Sequence, residues 1–480
     1  MLIRHASHYL SSSMVSAAFG LLSVVVFTRA LSDAEYGIYV IGTSTAGILS
    51  AILFAWIRLS VLRFQSEGKT VDIRATALCA YALAATASPL FLCAAALLTN
   101  ASTTRILATA VFTLGLGLFD ISQEISKAQQ KTRTFMAGAI MRACAAFLLC
   151  LASVACGFGG IGQLVAAGAA YFLTSAVLSR SILSGPVASV DTTQLKRFVR
   201  YGVPIALSGL VYSFHAALDR LIVAGVLGEA AAGQYGAAAD LVRQIILVPA
   251  TSVASAALPL AVAAFAQGGI AAARPHLERS AELLFAVLLP ATVGLALVSA
   301  DVANLILGPD FRATAGAIMP ILCFAWLFQA ISQSFVHTSF HLAQRPILLA
   351  CHGAATLAIN VIATIILVSR FAFVGAALAL VLSEACGALL GLMLTRFACP
   401  LPLVPAKLFR IAFGTAMMAL LLSFAAARMP MTGAAAVMLK ICAGLAIYSV
   451  FVLAFDIAGM RRGAQRLLSG MRRRYLVQST

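Results

Sequence analysis

The 480-residue chain is 62% hydrophobic and 10% charged, with a mean hydropathy of +1.00 and a formal net charge of +17. Soluble globular chains carry about 25% charged residues and about 45–50% apolar ones, so a cytosolic enzyme, a nucleic-acid-binding domain and a secreted disulfide scaffold are excluded. What remains is a polytopic membrane protein whose basic residues stand singly or in small groups between apolar runs, as the positive-inside bias requires.

Runs of about 20 apolar residues predict an all-α polytopic membrane protein with about fourteen transmembrane helices. Period-2 alternation is missing from the runs, which excludes a β-barrel. The first segment, 8–30, follows Met1–Arg4 and continues past Val26 with no clearly placed small-residue cleavage site, so it reads as a retained helix. Segments follow at 36–60, 75–98, 106–126, 135–156 and 161–183. A connection at 184–200 carries Leu-Lys-Arg-Phe-Val-Arg and is expected to form an interfacial amphipathic helix. Further segments lie at 201–227, 232–264, 279–300, 314–336, 345–369, 372–396, 407–427 and 434–458. The basic tail from 459 to 480 reads either as a topology anchor without other function or as a segment resting on anionic lipid headgroups.

With a cytoplasmic N-terminus, alternate connections and the tail hold 24 of the 33 basic residues, Arg58 among them, and the opposite side holds six. That ratio places both termini in the cytoplasm. Arg142, Arg220 and Arg243 fall inside spans.

A charge at mid-bilayer costs roughly 2.5–3.5 kcal/mol on insertion scales, so each should face a partner or a wet cavity. At 1.5 Å per residue, Asp120 in the fourth span and Arg142 in the fifth reach similar depth and are expected to pair, with Glu124 one turn from Asp120. In the next hairpin Arg220 is expected to meet Asp240, Arg243 lies one turn from Asp240, and His215 shares a face with Asp219. These groups read either as ion pairs that hold hairpins together or as cavity-lining contacts and proton carriers. Arginine suits phosphate recognition because its planar fork matches phosphate oxygens. Glu384 lies near the middle of the twelfth span and is a candidate for ion coupling, whereas His337 and His352 read as cavity or core residues. Pro249, Pro259 and Pro290 are candidate hinges or ordinary kinks.

Leu31 to Tyr39 and Leu227 to Tyr235 repeat one pattern, an acidic turn followed by Gly-x-Tyr, 196 residues apart. Six spans separate the copies, so both halves enter the membrane in the same orientation, the plan of parallel-repeat transporters. The expected division is two six-helix lobes, 1–183 and 201–396, joined by the linker and followed by two extra spans over 407–458.

The same residues carry a family resemblance. Thr28-Arg29-Ala30-Leu31 with Tyr36-Gly37-Ile38-Tyr39, then Leu195 to Pro204 with its Tyr-Gly-x-Pro ending, and finally Asp219-Arg220 and Gly228 to Tyr235 are similar to the polysaccharide-biosynthesis lipid flippases. Those proteins belong to the multidrug/oligosaccharidyl-lipid/polysaccharide exporter superfamily. The resemblance implies a flippase of the bacterial inner membrane, with two bundles around a cavity, moving a polyprenyl-diphosphate-linked oligosaccharide for surface or exopolysaccharide synthesis. A cation-coupled multidrug exporter of the same superfamily is the alternative. On this basis Arg220, Arg243, Arg142 and His215 are candidates for diphosphate and sugar contacts, and Glu384, Asp219, Asp240 and Asp120 for ion coupling. Membrane lipids, with a polymerase and glycosyltransferases of the same pathway, are the implied partners, and no nucleic acid is.

No Walker motif, no HExxH and no connection long enough for a catalytic domain is present. Nine of the ten cysteines lie inside apolar runs, none in a CxxC pair. No catalytic activity, cofactor or metal is expected.

Overall fold

Lipid offers no hydrogen-bond partners, so an apolar segment spans it only by satisfying its backbone internally, as a helix does. The computed structural model describes residues 2–67, 72–99, 101–184, 189–402, 404–428, 433–459 and 461, and among these no strand occurs. The basic tail lies outside the described residues apart from 459 and 461.

The N-terminal helices are α1 (Leu2–Ala30), α2 (Asp33–Glu67), α3 (Arg74–Thr99), α4 (Thr103–Ala128), α5 (Thr132–Ala155) and α6 (Gly159–Ile182). Then come α7 (Thr192–His215), α8 (Leu218–Leu227), α9 (Glu229–Ile306), α10 (Pro309–Ile331), α11 (His337–Leu342) and α12 (Pro346–Leu394). The last two are α13 (Pro405–Arg428) and α14 (Ala434–Ala454). Eleven helical stretches of the described residues are long and apolar enough to cross a membrane, and Met14–Ala30 is a shorter apolar helix. The chain is a multi-pass membrane protein.

Three elements differ from expectation. The basic stretch Lys196 to Arg200 is not a separate interfacial helix but part of the opening of α7, capped by Asp191, whose carboxylate accepts from Thr193 N at 2.8 Å. Its amphipathic pattern is satisfied within the protein, because Phe198 is fully buried while Lys196, Arg197 and Arg200 stay exposed. The expected single span at 201–227 is broken at Ala216–Ala217 into α7 and α8. The segment 314–336 ends in a π-turn, Ser332–Val336, that runs into α11. None of the prolines interrupts α9; its non-helical residues are Gly268 and Gly269. α12 is interrupted at Ala372, a non-glycine residue at φ +48°, which is strained backbone.

By internal contacts the chain divides into two units. The first comprises Met1–Gln244, Leu307–Ala315 and Gly353–Ser383. Its core gathers Leu53, Phe54 and Ile57 of α2, Phe119 and Ile121 of α4, and Phe198 of α7. α2 is crossed closely at both ends. Near its C-terminal end α7 passes at Gly202, where a Cβ would stand 2.9 Å from Trp56 C, and Ser60 Oγ donates to Phe198 O at 3.0 Å.

At the other end of α2 the two copies of the repeated turn pack on each other. A Cβ on Gly37 would stand 2.7 Å from Glu229 C, and one on Gly233 would stand 2.8 Å from Gly37 N and closer still to Asp33 O. The contacts are reciprocal, since Glu229 is the repeat equivalent of Asp33 and Gly233 of Gly37. Gln234 Nε2 donates to Asp33 Oδ2 at 2.7 Å and Thr314 donates to Gln234 Oε1. Arg105 of α4 grips Glu229 with both terminal guanidinium nitrogens, Nη2 at 2.9 Å.

The second unit comprises Ile245–Ile306, Gly316–His352 and Glu384–Thr480. Ala286 of α9 packs with Ile411, Met418 and Leu422 of α13 and Tyr448 and Val452 of α14. Lys407 pairs with Glu282 at 2.9 Å and Lys440 with Asp301 at 2.5 Å, fastening α13 and α14 to α9.

Candidate intramembrane site

The break between α7 and α8 positions a charged cluster in the first unit. It places Asp219 in the first turn of α8, where unsatisfied backbone N–H groups favour a carboxylate. Asp219 is 5% exposed; its Oδ1 accepts from Arg220 N at 2.8 Å and its Oδ2 from the hydroxyl of fully buried Tyr235 at 3.0 Å. Arg220 reaches the other way. Its Nη2 donates to Asp240 Oδ1 at 2.6 Å and its Nη1 to Oδ2 at 3.4 Å, the fork-on-carboxylate geometry of a strong pair. Nothing among the described residues accepts its buried Nε–H.

Arg243 lies one turn beyond Asp240, in the field of Asp240 and Asp219, and His215 lies within electrostatic reach of Asp219. Five of the residues singled out from sequence therefore converge: His215, Asp219, Arg220, Asp240 and Arg243. Tyr235 joins them; the Gly-x-Tyr pattern places it at the opening of a span, five residues before Asp240, but gives no sign that its hydroxyl reaches Asp219.

A second cluster joins α2, α4, α5 and α6. The expected Asp120–Arg142 pair is not the arrangement found. Arg58 Nη1 donates to Asp120 Oδ2 at 2.6 Å, and Glu124 pairs with Lys127 at 2.9 Å. The Arg142 guanidinium lies over the rings of Phe119 and Tyr171, 5.8 and 5.6 Å from their centroids, where a delocalised cation is drawn to the π-faces. Asp120 and Arg142 both lie within electrostatic reach of Tyr171. Arg58, two residues before the expected end of the second span at 60, counts from sequence with the cytoplasmic connection, which hides it as an intramembrane partner. The apolar residues Leu59, Val61, Leu62 and Phe64 were the signal that α2 continues, and it does so to Glu67.

Glu384 belongs to the second unit and is 3% exposed, accepting from Gln329 Nε2 at 2.7 Å. His337 and His352, also buried, face each other there. In the first unit a cavity of about 610 Å³ opens between α2, α3, α4 and α8, walled by side chains such as Ile38, Ile41, Leu92, Ile106 and Leu221 and edged by the Arg105–Glu229 pair. Among the described residues no three of His, Cys, Asp and Glu converge to hold a metal.

The fold has known counterparts. It is similar to the lipid II flippase MurJ in its inward closed conformation, with a TM-score of 0.78 and 16% identity, covering 93% of this chain and 98% of that one. It is also similar to a multidrug resistance MATE family transporter of the MOP superfamily. The inward-facing form gives a TM-score of 0.60 at 15% identity over 80% of this chain and 94% of that one. The outward-facing form gives 0.55 at 14% identity over 82% and 95%. No curated protein matches the sequence. The family model described as polysaccharide biosynthesis protein matches residues 26–316, more than half of the chain and including both copies of the repeated turn. The chain belongs to the polysaccharide biosynthesis protein family, and its fold is that of MurJ and the MATE transporters.

Proposed function

We propose that this protein is a flippase that carries a polyprenyl-diphosphate-linked oligosaccharide from the inner to the outer leaflet of the bacterial inner membrane. The observation that carries the reading is Arg220. A buried guanidinium, already balanced by Asp240 and with an N–H still to be accepted, is a costly feature in a membrane helix and suits an anionic phosphate group. Arg243 and His215 beside it, and Arg142 on its aromatic platform, are the further contacts for diphosphate and sugar. Asp219, Asp240, Asp120 and Glu384 are the acids through which an ion gradient acts. In this reading α9 and α12, interrupted at Gly268–Gly269 and at Ala372, each supply two spans. Taking α7 with α8 as one span and α10 with α11 as another gives fourteen, in two lobes plus two, with both termini cytoplasmic.

The test is a clean deletion complemented by wild-type, Arg220→Ala and Arg243→Ala chains. Lipid-linked repeat units are extracted and surface polysaccharide assayed. The expected result is accumulation of intact units and loss of polymer in the deletion and in both variants, with the variants inserted at wild-type level. Normal polymer from both variants removes the two arginines from the site. Normal polymer in the deletion, together with restored drug resistance on overexpression, favours the multidrug exporter, a reading that draws on the MATE-like fold.

A further inference from the structure

Four buried polar side chains of the second unit form one seam: Gln329 of α10, His337 at the start of α11, and His352 and Glu384 of α12. The seam begins with Gln329 Nε2 donating to Glu384 Oε1. Glu384, Gly387 and Gly391 share one face of α12 at i, i+3 and i+7. That face seats His352, whose Nε2 lies 3.0 Å from Gly387 O and 3.2 Å from where a Cβ on Gly391 would stand. The ring of His337 stands against it, edge to face, with Nε2 3.4 Å from His352 Nδ1 and centroids 5.1 Å apart.

Tautomers follow from these distances. A carbonyl only accepts, so His352 Nε2 carries a hydrogen, and in the neutral ring Nδ1 is then an acceptor. His337 Nε2 is therefore the donor, and its own Nδ1 carries no hydrogen in the neutral pair. One further proton enters at His337 Nδ1, making that ring an imidazolium. Passing the Nε2 hydrogen across to His352 Nδ1 moves the charge to His352 and leaves His337 neutral with its hydrogen on Nδ1. The Gly387 carbonyl is satisfied in both forms.

Other ionisable groups near the pair are accounted for. Glu384 lies one turn from Gly387 on α12, and His341 lies one turn from His337 on α11, within its electrostatic reach. Arg345, in the connection before α12, donates to Phe397 O. Across from the π-turn, α9 presents Phe285 to Phe335, and its Glu282 is paired with Lys407. The π-turn just before His337 has the looser geometry often found at functional sites.

We propose that His337 and His352 form a binding site for one proton, and that this proton couples transport to a transmembrane proton gradient. The coupling half rests on the transport reading above; the binding half does not. Two measurements on the full-length protein separate them. The first is ¹⁵N NMR of the histidine ring nitrogens in nanodiscs between about pH 4 and pH 8. The wild type should take up one proton shared by two rings, a signature lost in both His337→Gln and His352→Gln; glutamine can still donate to Gly387 O, and folding of each variant is checked by gel filtration. No shared titration in folded wild type overturns the proposal.

The second measurement is flipping of a polyprenyl-diphosphate-linked oligosaccharide in proteoliposomes with and without an imposed pH gradient. The gradient should accelerate the wild type about tenfold and leave His352→Gln unchanged. Flipping by wild type that ignores the gradient overturns the coupling. An absence of flipping in wild type under either condition, with the shared proton present by NMR, sinks the transport reading and leaves the proton site standing.

Discussion

Replacing Gly37 and Gly233 by alanine, singly and together, probes the contact between the two copies of the repeated turn. A Cβ at 37 would lie 2.7 Å from Glu229 C, about 0.7 Å inside the 3.4 Å at which ordinary contact begins, and a Cβ at 233 would lie 2.8 Å from Gly37 N. The obstructing atoms are backbone, so no side chain can swing away and α2 and α9 must separate locally. Overpacking of this kind costs about 1–3 kcal/mol, and each single variant is expected to lose that much. Once the first Cβ has forced the helices apart, the second enters space already opened. The double variant should then fall short of the summed losses by at least about 0.5 kcal/mol, the mark of groups in one contact. Equilibrium unfolding in mixed micelles measures this. Two tryptophans are present, and replacing Trp326 by phenylalanine leaves Trp56 of α2 as the reporter. Strictly additive losses, or losses under about 0.5 kcal/mol in both single variants, refute a direct crossing.

Three further outcomes are expected. Arg220→Ala should destabilise by about 3–5 kcal/mol by leaving buried carboxylates uncompensated, and adding Asp240→Ala should recover part of the loss; an unfolding cycle without coupling contradicts the pair. Tyr235→Phe should cost about 1.5–3 kcal/mol, the range for a hydrogen bond to a charged group, and much less in an Asp219→Asn background. In the complementation assay Arg142→Lys should retain several-fold reduced export where Arg142→Ala retains none, because lysine keeps the charge but loses the planar stacking on Phe119 and Tyr171.

The class of fold was legible because lipid imposes length and hydropathy on every span, and depth arithmetic from a common boundary brought Arg220 to Asp240. The same arithmetic failed for Asp120 because it considered only the adjacent helix. Its partner, Arg58, comes from α2, 62 positions earlier in sequence, and hydropathy carries no information about which helices are neighbours. The break at Ala216–Ala217 was equally invisible: both sides are apolar and helix-forming, and what marks the second helix is a carboxylate at its first turn, which reads as an intramembrane charge until the backbone is seen. The histidine pair shows a third kind of loss. His337 stands in the polar stretch from Ser332 to His341 and His352 inside the apolar run 345–369, and only tertiary packing brings them face to face.

The reciprocal packing of Gly37 on Glu229 and of Gly233 on Asp33 has the character of an isologous surface, in which one patch serves as both knob and socket. A patch that recognises itself makes duplication cheap. A chain that carries such a turn twice already holds the partner for each copy, and no new complementarity has to arise for the halves to associate. The same property ties the two positions in descent, since any side chain gained at one glycine is met by the backbone of the other copy.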